Sequence, residues 1–333
     1  MTDSAAGAPH HAGPHAATRR GNLLGLTAIL MWSSWAPIMV SADAMPSFLL
    51  LAIAFSGASA VMLARRAVLR LGFADLLRTP VSTLALGFAG LWGSNTMFVL
   101  ALDAGAAPVA ATIVTHTWPI WMAVIVLMLG IARGTIWDLF AFALGFAGVV
   151  AIATREGQIE FHLGLALGLF GSFLWAIYSG ARTRVPAGPP DALTAYAIAA
   201  AIVSWVCHFA LGEPFAARPL DFALALAVGM LPMGIANALW DIAVRRGDPV
   251  RLAGMSFIEP VCGTGFILLL LAQVPRPMDV LGLALVLGGL ALGTVSEKIR
   301  RRRGSSVPPV VIMPPTGPAV ADDVAPDRPP PAV

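Results

Sequence analysis

Ten apolar stretches, most of them about 20 residues long, follow one another between residues 22 and 296. A helix of that length spans the hydrocarbon core of a bilayer. In hydrocarbon only helices and closed barrels satisfy every backbone polar group, and these stretches lack the alternation of polar and apolar residues that barrel strands show. The sequence therefore predicts an all-α polytopic membrane protein, with ten transmembrane helices at 22–41, 48–64, 80–102, 106–131, 136–153, 163–181, 191–211, 221–244, 249–272 and 278–296.

Composition and charge agree with membrane helices and predict their orientation. Hydrophobic residues make up 58% of the 333 residues and charged residues 12%, whereas soluble domains have about 45–50% and about 25%. Counted by span, 17 Lys and Arg residues between Arg19 and Arg303 fall on one side, and only Arg155, Arg218 and Arg276 fall on the other. By the positive-inside rule, both termini are predicted to be cytoplasmic. The basic residues form short clusters beside the spans, so the bilayer is the expected partner and nucleic acid is not.

The two chain ends differ from the apolar stretches. Residues 1–20 are small and polar, and residues 304–333 are rich in Pro and Val, so both are expected to be disordered and to flank one membrane domain. A removed signal peptide is not expected, because no short apolar region with a cleavage site follows residue 20. The two cysteines, Cys207 and Cys262, fall in different spans and predict neither a disulfide nor a metal site. Hydrolase, metalloprotease and P-loop motifs are absent from the sequence, so neither an enzyme nor a cofactor is expected.

The two halves of the chain resemble each other. The segments "GNLLGLTAILMW" at 21–32 and "GLALGLFGSFLW" at 164–175 match at several positions, including a final tryptophan. Two prolines eleven residues apart, and the Asp that opens a later span, recur 141 residues further on: Pro108, Pro119 and Asp138 correspond to Pro249, Pro260 and Asp279. These matches predict a duplicated five-helix unit at 21–153 and 163–300. Because five is odd, the second copy would be inverted, as in many secondary transporters, whose substrate sites lie between the repeats.

Polar residues and prolines interrupt the fourth and ninth predicted spans near mid-depth. Pro119 and Pro260 each remove one helical hydrogen bond, which predicts paired kinks beside a cavity, although kinks also serve packing alone. Glu259 is costly in a bilayer, so it should face protein or a watery cavity. It is either a proton-coupling or substrate-ammonium site, or a neutral structural carboxylic acid. His116 lies at similar depth and is another group that can gain or lose a proton, or simply pack.

Aromatic and amide side chains lie at a similar depth. Tryptophan usually concentrates at the membrane interfaces, yet Trp32, Trp92, Trp118 and Trp175 each fall about ten to twelve residues into a span. With Tyr178 they are candidates to line a pocket for an amphipathic or aromatic solute, and helix packing is the alternative for each of them. Two amides, Asn95 and Asn237, are candidates to bind the charged groups of a substrate or to join neighbouring helices.

The ten spans, "WP" at Trp118–Pro119 and "EP" at Glu259–Pro260 resemble the EamA-like branch of the drug/metabolite transporter superfamily over roughly residues 20–300. The segments "HTWPIW" at 116–121, "LWAIYSGARTRV" at 174–185 and "GIANALWDIAVRRG" at 234–247 look like those of bacterial aromatic amino acid exporters. The resemblance implies a central cavity lined by the first four helices of each half. Aromatic residues match that subgroup at Trp118, Trp175, Tyr178 and Trp240, whereas His116 and Glu259 stand where a member has tyrosine and threonine.

These observations lead to one functional hypothesis with named alternatives. The protein is expected to export amino acids, aromatic and other neutral ones first, across the bacterial inner membrane by alternating access. The mid-depth aromatic residues would hold the substrate side chain, and Asn95, Asn237 and Glu259 its charged groups. The alternatives are another metabolite or a drug as substrate, or a channel or membrane sensor. The sequence leaves the coupling ion open, as well as the choice between monomer and homodimer.

Overall fold

The computed structural model describes residues 14–42, 44–130, 135–155, 158–159, 161–181, 184–186, 188–189, 191–215, 217–246, 255 and 258–302. These residues are almost entirely helical, which confirms the predicted helical class. Within them, the one pair of strands is a two-residue antiparallel hairpin, β1 (Thr154–Arg155) with β2 (Gln158–Ile159).

Eight α-helices fill the described part of the first half. They are α1 (Pro14–Ser33), α2 (Trp35–Ser41), α3 (Ser47–Val68), α4 (Val81–Phe88), α5 (Ser94–Asp103), α6 (Pro108–Thr115), α7 (Trp118–Met128) and α8 (Ile136–Ala153). A 3₁₀ turn at Phe73–Arg78 follows α3, and a π-helical segment at Ala89–Gly93 joins α4 to α5. The described second half contains α9 (Leu163–Ala181), α10 (Leu193–Ala210), α11 (Pro219–Val228), α12 (Ala236–Arg246), α13 (Ile258–Leu270) and α14 (Pro277–Arg302), with a π-helical segment at Gly229–Ile235 between α11 and α12.

Six helical stretches of the described chain are long and apolar enough to cross a membrane. They are Thr18–Ser41, Ser47–Val68, Val81–Asp103, Leu163–Ala181, Leu193–Ala210 and Pro219–Trp240. Shorter apolar helices lie at Ile136–Ile152, Ile258–Leu270 and Pro277–Gly293. A multi-pass helical membrane protein follows from these lengths and compositions, whereas the count of ten spans stays a prediction.

The helix bounds differ from the predicted ones at both ends of the membrane domain. Residues 14–20 are helical, although we expected disorder up to residue 20, because Pro14 suits the first turn of a helix and Ala16 and Ala17 are strong helix formers. At the other end α14 continues six residues beyond the predicted limit at 296. Residues 1–13 of the predicted disordered segment 1–20, and the whole of the predicted disordered tail 304–333, lie outside the described residues, as does Pro249.

Helices α3 and α10 pack along each other and are joined near both ends and at the middle. Arg65, in the last turn of α3, forms an ion pair with Asp191, just before α10. Midway, Trp205 Nε1 donates a hydrogen bond to Ser56 Oγ at 3.1 Å. Beyond the end of α10, the Glu213 carboxylate accepts hydrogen bonds from two backbone N–H groups in the first turn of α3. The described helices therefore include one pair whose two ends are both fixed by polar contacts.

Glycines bring α8 and α14 into close contact. A Cβ added to Gly148 would lie 2.8 Å from the carbonyl oxygen of Gly282, and one added to Gly289 would lie 2.7 Å from that of Ala141. Small residues at such crossings let helix backbones approach, and van der Waals packing is a main source of stability between helices in lipid. The α8 and α14 backbones therefore pack directly against each other.

Each π-helical segment is followed by an asparagine whose side chain bonds back to the backbone. Asn95 Nδ2 donates to the Leu91 carbonyl and Asn237 Nδ2 to the Met233 carbonyl, both at 2.7 Å and both four residues earlier. A π-helical turn disturbs the regular pairing of residues four apart, so a nearby amide can satisfy a carbonyl that the helix leaves available. Both asparagines thus stabilise a local irregularity.

Candidate functional site

The helix that follows Pro108 is interrupted near its middle. Helix α6 ends at Thr115 and α7 begins at Trp118, with a turn at His116 and Thr117. Pro119 has no N–H to donate, so the ladder of helical hydrogen bonds cannot run unbroken through this position. The turn is held by the Thr117 side chain, whose Oγ1 donates to the Val114 carbonyl at 2.7 Å and lies 2.9 Å from Ser172 Oγ of α9.

His116 and Glu259 face each other beside this interruption. The Nε2 of His116 lies 3.6 Å from Oε1 of Glu259, which is in the first turn of α13. The two side chains are 9% and 19% exposed. On the other side of the imidazole ring, Nδ1 lies 2.7 Å from the Thr112 carbonyl oxygen. Because a carbonyl only accepts, Nδ1 carries the proton in that bond, and Nε2 is the nitrogen left to interact with Glu259.

The end of α1 completes the surroundings of this pair. Ser33, the last residue of α1, donates to the Ile29 carbonyl at 3.0 Å and lies 3.4 Å from the Glu259 carbonyl oxygen. A Cβ added to Gly263 of α13 would lie 3.4 Å from the Ser33 carbonyl oxygen and 3.9 Å from Cε1 of His116. A Cβ at this position would make only ordinary van der Waals contacts, and the distances show that the end of α1, the end of α6 and α13 meet here.

Trp32 and Trp240 form an aromatic pair next to the Ser33 end of α1. Their ring centroids are 5.1 Å apart with an interplanar angle of 54°. Trp32 Nε1 donates to the Pro232 carbonyl of the second π-helical segment at 3.0 Å. Trp240 is almost fully buried, whereas Trp32 is half-buried and lies against the same small cluster. In this conformation the two predicted site tryptophans pack on each other and on the π-helical segment.

Trp175 and Tyr178 form a second aromatic pair, on α9. Their ring centroids are 5.3 Å apart, and Tyr178 also meets Tyr196 of α10 edge to face at 6.1 Å. A Cβ added to Gly90 would lie 2.2 Å from Cβ of Tyr178, so this aromatic pair packs directly on the first π-helical segment. Trp32 of the first half therefore packs against the π-helical segment of the second half, and Tyr178 of the second half packs against that of the first.

Trp118 is brought to a different cluster from the other candidate tryptophans. It is half-buried and packs with residues of α7 and α9 around Met122, Ile125 and Ala176. Trp175, although next to Ala176 in the sequence, packs against the main core instead. Pro260 is buried at the third position of α13.

Asn95 and Asn237 use their amide nitrogens within their own helices, as described above. The Asn95 side chain also accepts a hydrogen bond from Trp35 Nε1 at 2.9 Å, and the Trp35 ring lies 4.4 Å from that of Phe98. Trp35 was not among the predicted site residues. Its position three residues after Trp32, at the start of α2, is the sequence signal that would have indicated it.

The geometry of the described residues is compatible with binding of an organic solute. There, no group of three or more His, Cys, Asp or Glu residues is placed to hold a metal ion. What the helices bring together is a pair of buried His116 and half-buried Glu259, with the aromatic pair Trp32 and Trp240 nearby. Such a combination provides stacking surfaces and one ionisable contact, which suits an amphipathic solute.

Comparison with known proteins agrees with this description. Residues 162–295 match the model of the EamA-like transporter family. The chain is 33% identical over 283 residues to the aromatic amino acid exporter YddG of Ancylobacter novellus, covering 82% of this chain and 96% of that protein. It is 22% identical over 275 residues to the YddG exporter of Salmonella typhimurium, covering 77% of this chain and 90% of the relative.

A solved crystal structure supports the same assignment at the level of the fold. It superposes with a TM-score of 0.62 at 29% sequence identity, and the match covers 86% of this chain and 99% of the other. The identity to the Ancylobacter exporter extends over nearly the whole of that protein, so the shared architecture includes both halves of the chain. This protein belongs to the EamA-like transporter family.

Proposed function

We propose that this protein exports amino acids, chiefly aromatic and other neutral ones, across the bacterial inner membrane by alternating access. The observation that carries the proposal is the 33% identity to an aromatic amino acid exporter over 96% of that exporter's length. Relatives that share a site do not always share a substrate, so the chemistry of the site also has to fit. Paired aromatic rings and one half-buried carboxylate suit the side chain and the ammonium group of such a solute.

The proposed architecture is ten transmembrane helices in two inverted five-helix repeats with cytoplasmic termini. Each half has a π-helical segment followed by an asparagine that bonds back four residues, at Asn95 and at Asn237. The helices α8 and α14 begin alike, since Asp138 and Asp279 each accept hydrogen bonds from the residue three positions earlier. These echoes support the duplication.

The contacts between the halves also support a two-fold relation. Adding the repeat offset of 141 to Gly148 gives Gly289, and subtracting it from Gly282 gives Ala141. The close approach of Gly148 to Gly282 therefore has its counterpart in the close approach of Gly289 to Ala141. Similarly, α1 packs on the second π-helical segment and α9 on the first. Transporters built in this way bind substrate near the middle of the membrane between the repeats.

Within the proposed site, the residues have different roles. Trp32 with Trp240, and Trp175 with Tyr178, would provide ring surfaces, Trp118 would lie at the edge of the second pair, and His116 with Glu259 would interact with charged groups. Contact of Asn95 or Asn237 with substrate would cost the backbone hydrogen bonds that they make. We therefore propose that the main role of these two amides is to stabilise the π-helical segments, and that contact with substrate is a secondary role.

Transport can be tested with purified protein in liposomes and a panel of radiolabelled amino acids. We expect saturable counterflow, in which unlabelled internal substrate accelerates the entry of the labelled one, because an alternating-access carrier exchanges bound solutes. Flux that never saturates would indicate a channel, and binding without flux would indicate a sensor. Saturable counterflow of only non-amino-acid solutes would assign the protein to another substrate class.

The orientation needs a separate test. Leu77 and Val274 are 90% and 89% exposed, and the proposed topology puts them on the cytoplasmic and outer sides respectively. In a background without Cys207 and Cys262, a membrane-impermeant thiol reagent applied to intact cells should label Val274→Cys. It should label Leu77→Cys only after the membrane is permeabilised. The opposite pattern would contradict cytoplasmic termini.

A further inference from the structure

We infer that His116 and Glu259 form a single proton-binding site that joins the two halves of the transporter and couples export to proton entry. The inference rests on the proposed function, because the proton is exchanged for substrate. It starts from the 3.6 Å separation of His116 Nε2 and Glu259 Oε1 and from the bond that fixes the other ring nitrogen.

The Thr112 carbonyl determines which nitrogen of His116 titrates. Since Nδ1 donates to that carbonyl, a neutral His116 turns the lone pair of Nε2 toward Glu259. An ionised Glu259 would then present its own lone pairs and negative charge to that nitrogen. One proton placed between the two atoms converts this repulsive arrangement into an attractive one, either as imidazolium with carboxylate or as imidazole with carboxylic acid.

The neighbouring helices offer little other charge to neutralise the pair. Helices α1, α2, α6 and α13 meet at the pair, and α5, α8, α9 and α14 also pack on α6. The other charged or basic residues on these helices stand within about two turns of a helix end: His15, Arg19 and Arg20 of α1, Asp103 of α5, Asp138 of α8, and Asp279 and the charged residues at 297–302 of α14. Tyr178 of α9 is a further titratable group. Cys262 is the other titratable group of α13, three residues after Glu259. A carboxylate held among apolar helices is costly, so the proton and His116 are the natural means to keep Glu259 inside the membrane.

The position of the pair connects its protonation to a change in shape. His116 lies where α6 is interrupted, in the first half, and Glu259 lies in the first turn of α13, in the second half. A protonated pair holds these helices together, and loss of the proton removes that attraction. A proton that binds from the outer side and leaves to the cytoplasm, while a zwitterionic substrate of no net charge moves outward, returns the site to its starting state without any further reactant. Each cycle then carries one net positive charge inward.

The experiment uses the full chain in liposomes with radiolabelled phenylalanine, with the membrane potential clamped at zero. Counterflow at equal pH on both sides measures exchange alone and so tests the proposed function. Uptake into liposomes whose lumen is one pH unit more acidic than the outside measures coupling. One proton exchanged per substrate can support about tenfold accumulation, whereas an uncoupled carrier supports no accumulation. We expect about tenfold accumulation for the natural protein. For Glu259→Gln we expect slower counterflow, because the proposed ammonium contact is lost, and a steady-state accumulation near unity, since that ratio reports coupling and not rate.

Variants separate the pair from general effects of charge. His116→Gln should slow counterflow and also lose most of the steady-state accumulation, because Gln carries no titratable nitrogen. Asp75→Asn removes a carboxylate from the exposed 3₁₀ turn and should behave like the natural protein. Counterflow without accumulation in the natural protein, or full accumulation by Glu259→Gln, would overturn the inference.

A second measurement does not depend on the substrate. Infrared difference spectra of the purified protein, recorded between about pH 5 and pH 8, should show one titration shared by the pair, as the carbonyl stretch of a carboxylic acid or as a ring band of imidazolium. The midpoint or the amplitude of this titration should change in Glu259→Gln and in His116→Gln and stay unchanged in Asp75→Asn. If phenylalanine shows no counterflow, the proposed substrate is wrong, and the infrared titration still decides whether the pair binds a proton. Spectra of Glu259→Gln identical to those of the natural protein would contradict it.

Discussion

Gly148 of α8 and Gly282 of α14 lie back to back, and each occupies the space that a Cβ of the other would need. A Cβ on Gly148 would come within 2.8 Å of the Gly282 carbonyl oxygen, and one on Gly282 would come within 2.9 Å of the Gly148 carbonyl oxygen. These distances are shorter than van der Waals contact, so any larger side chain must push the two helices apart. The contact therefore packs α8, the last described helix of the first half, against α14, the last described helix of the second half.

Substitution of Gly282 by valine should destabilise the protein without touching the proposed site. Overpacking of a tight contact costs about 1–3 kcal/mol, and the midpoint of thermal unfolding in detergent should fall accordingly. Gly293→Val, later in the same helix, is the matched control, because no atom lies within 4 Å of a Cβ added there. Equal effects of the two substitutions would mean that α8 and α14 do not approach as closely as described.

The hydrogen bond between Trp35 and Asn95 should appear as a coupling energy. Asn95→Ala leaves the indole N–H and the Leu91 carbonyl without this partner, whereas Trp35→Phe removes only the indole donor. A double-mutant cycle on unfolding should give a coupling of about 0.5–1.5 kcal/mol. The same cycle with Asn237→Ala in place of Asn95→Ala should be additive, and a coupling of similar size there would show that the effect is not specific to this contact.

Much of the fold follows from the sequence because apolar length is a strong signal in membrane proteins. The predicted limits 136–153 and 163–181 coincide with α8 and α9 as described. The π-helical segments were not predicted, because the residues on either side are equally apolar and equally suited to an ordinary helix. Glycines at Gly90 and Gly229 accompany them, but glycine is frequent throughout these helices and marks a close approach only once the neighbouring helix is known.

The candidate site was harder to predict than the helices. Hydropathy placed His116 and Glu259 at similar depths, but depth does not determine which face of a helix a residue occupies, so their 3.6 Å separation required the packing of α6 against α13. The same limit applies to Asn95 and Asn237, which looked like substrate ligands from depth alone. In the structure their amide nitrogens donate hydrogen bonds to backbone carbonyls of their own helices.

Glu213 should stabilise the start of α3 although it follows α10. Its two carboxylate oxygens accept from Phe48 N and Leu49 N at 3.1 and 3.0 Å, and Oε2 lies 3.0 Å from His208 Nδ1. The first N–H groups of a helix lack partners in the helix, and negative charge there is favourable. Glu213→Ala should lower the free energy of unfolding by about 1–3 kcal/mol.

Two comparisons make the prediction for Glu213 specific. Amide hydrogen exchange at Phe48 and Leu49 should accelerate in Glu213→Ala more than at the middle of α3, because only the first turn loses its acceptors. Asp103→Asn alters a neighbouring exposed contact, in which Ser47 Oγ donates to Asp103 at 2.6 Å, and should cost less than about 1 kcal/mol. If exchange at the start of α3 is unchanged in Glu213→Ala, the carboxylate does not cap the helix in the membrane.

Trp118→Ala and Trp175→Ala should weaken transport more than Trp137→Ala does. Trp118 and Trp175 pack on α7 and α9 beside the proposed site, whereas Trp137 is 38% exposed in the first turn of α8 and lies near Phe140. If the rings of the first two contact substrate, the apparent KM for phenylalanine counterflow should rise roughly tenfold, which corresponds to about 1.4 kcal/mol of binding energy. Thermal unfolding measured alongside separates lost binding from lost packing, because a packing role predicts a lower midpoint with an unchanged KM. Equal KM values for all three variants would exclude these tryptophans from the substrate site and leave Trp32 with Trp240 as the aromatic surface.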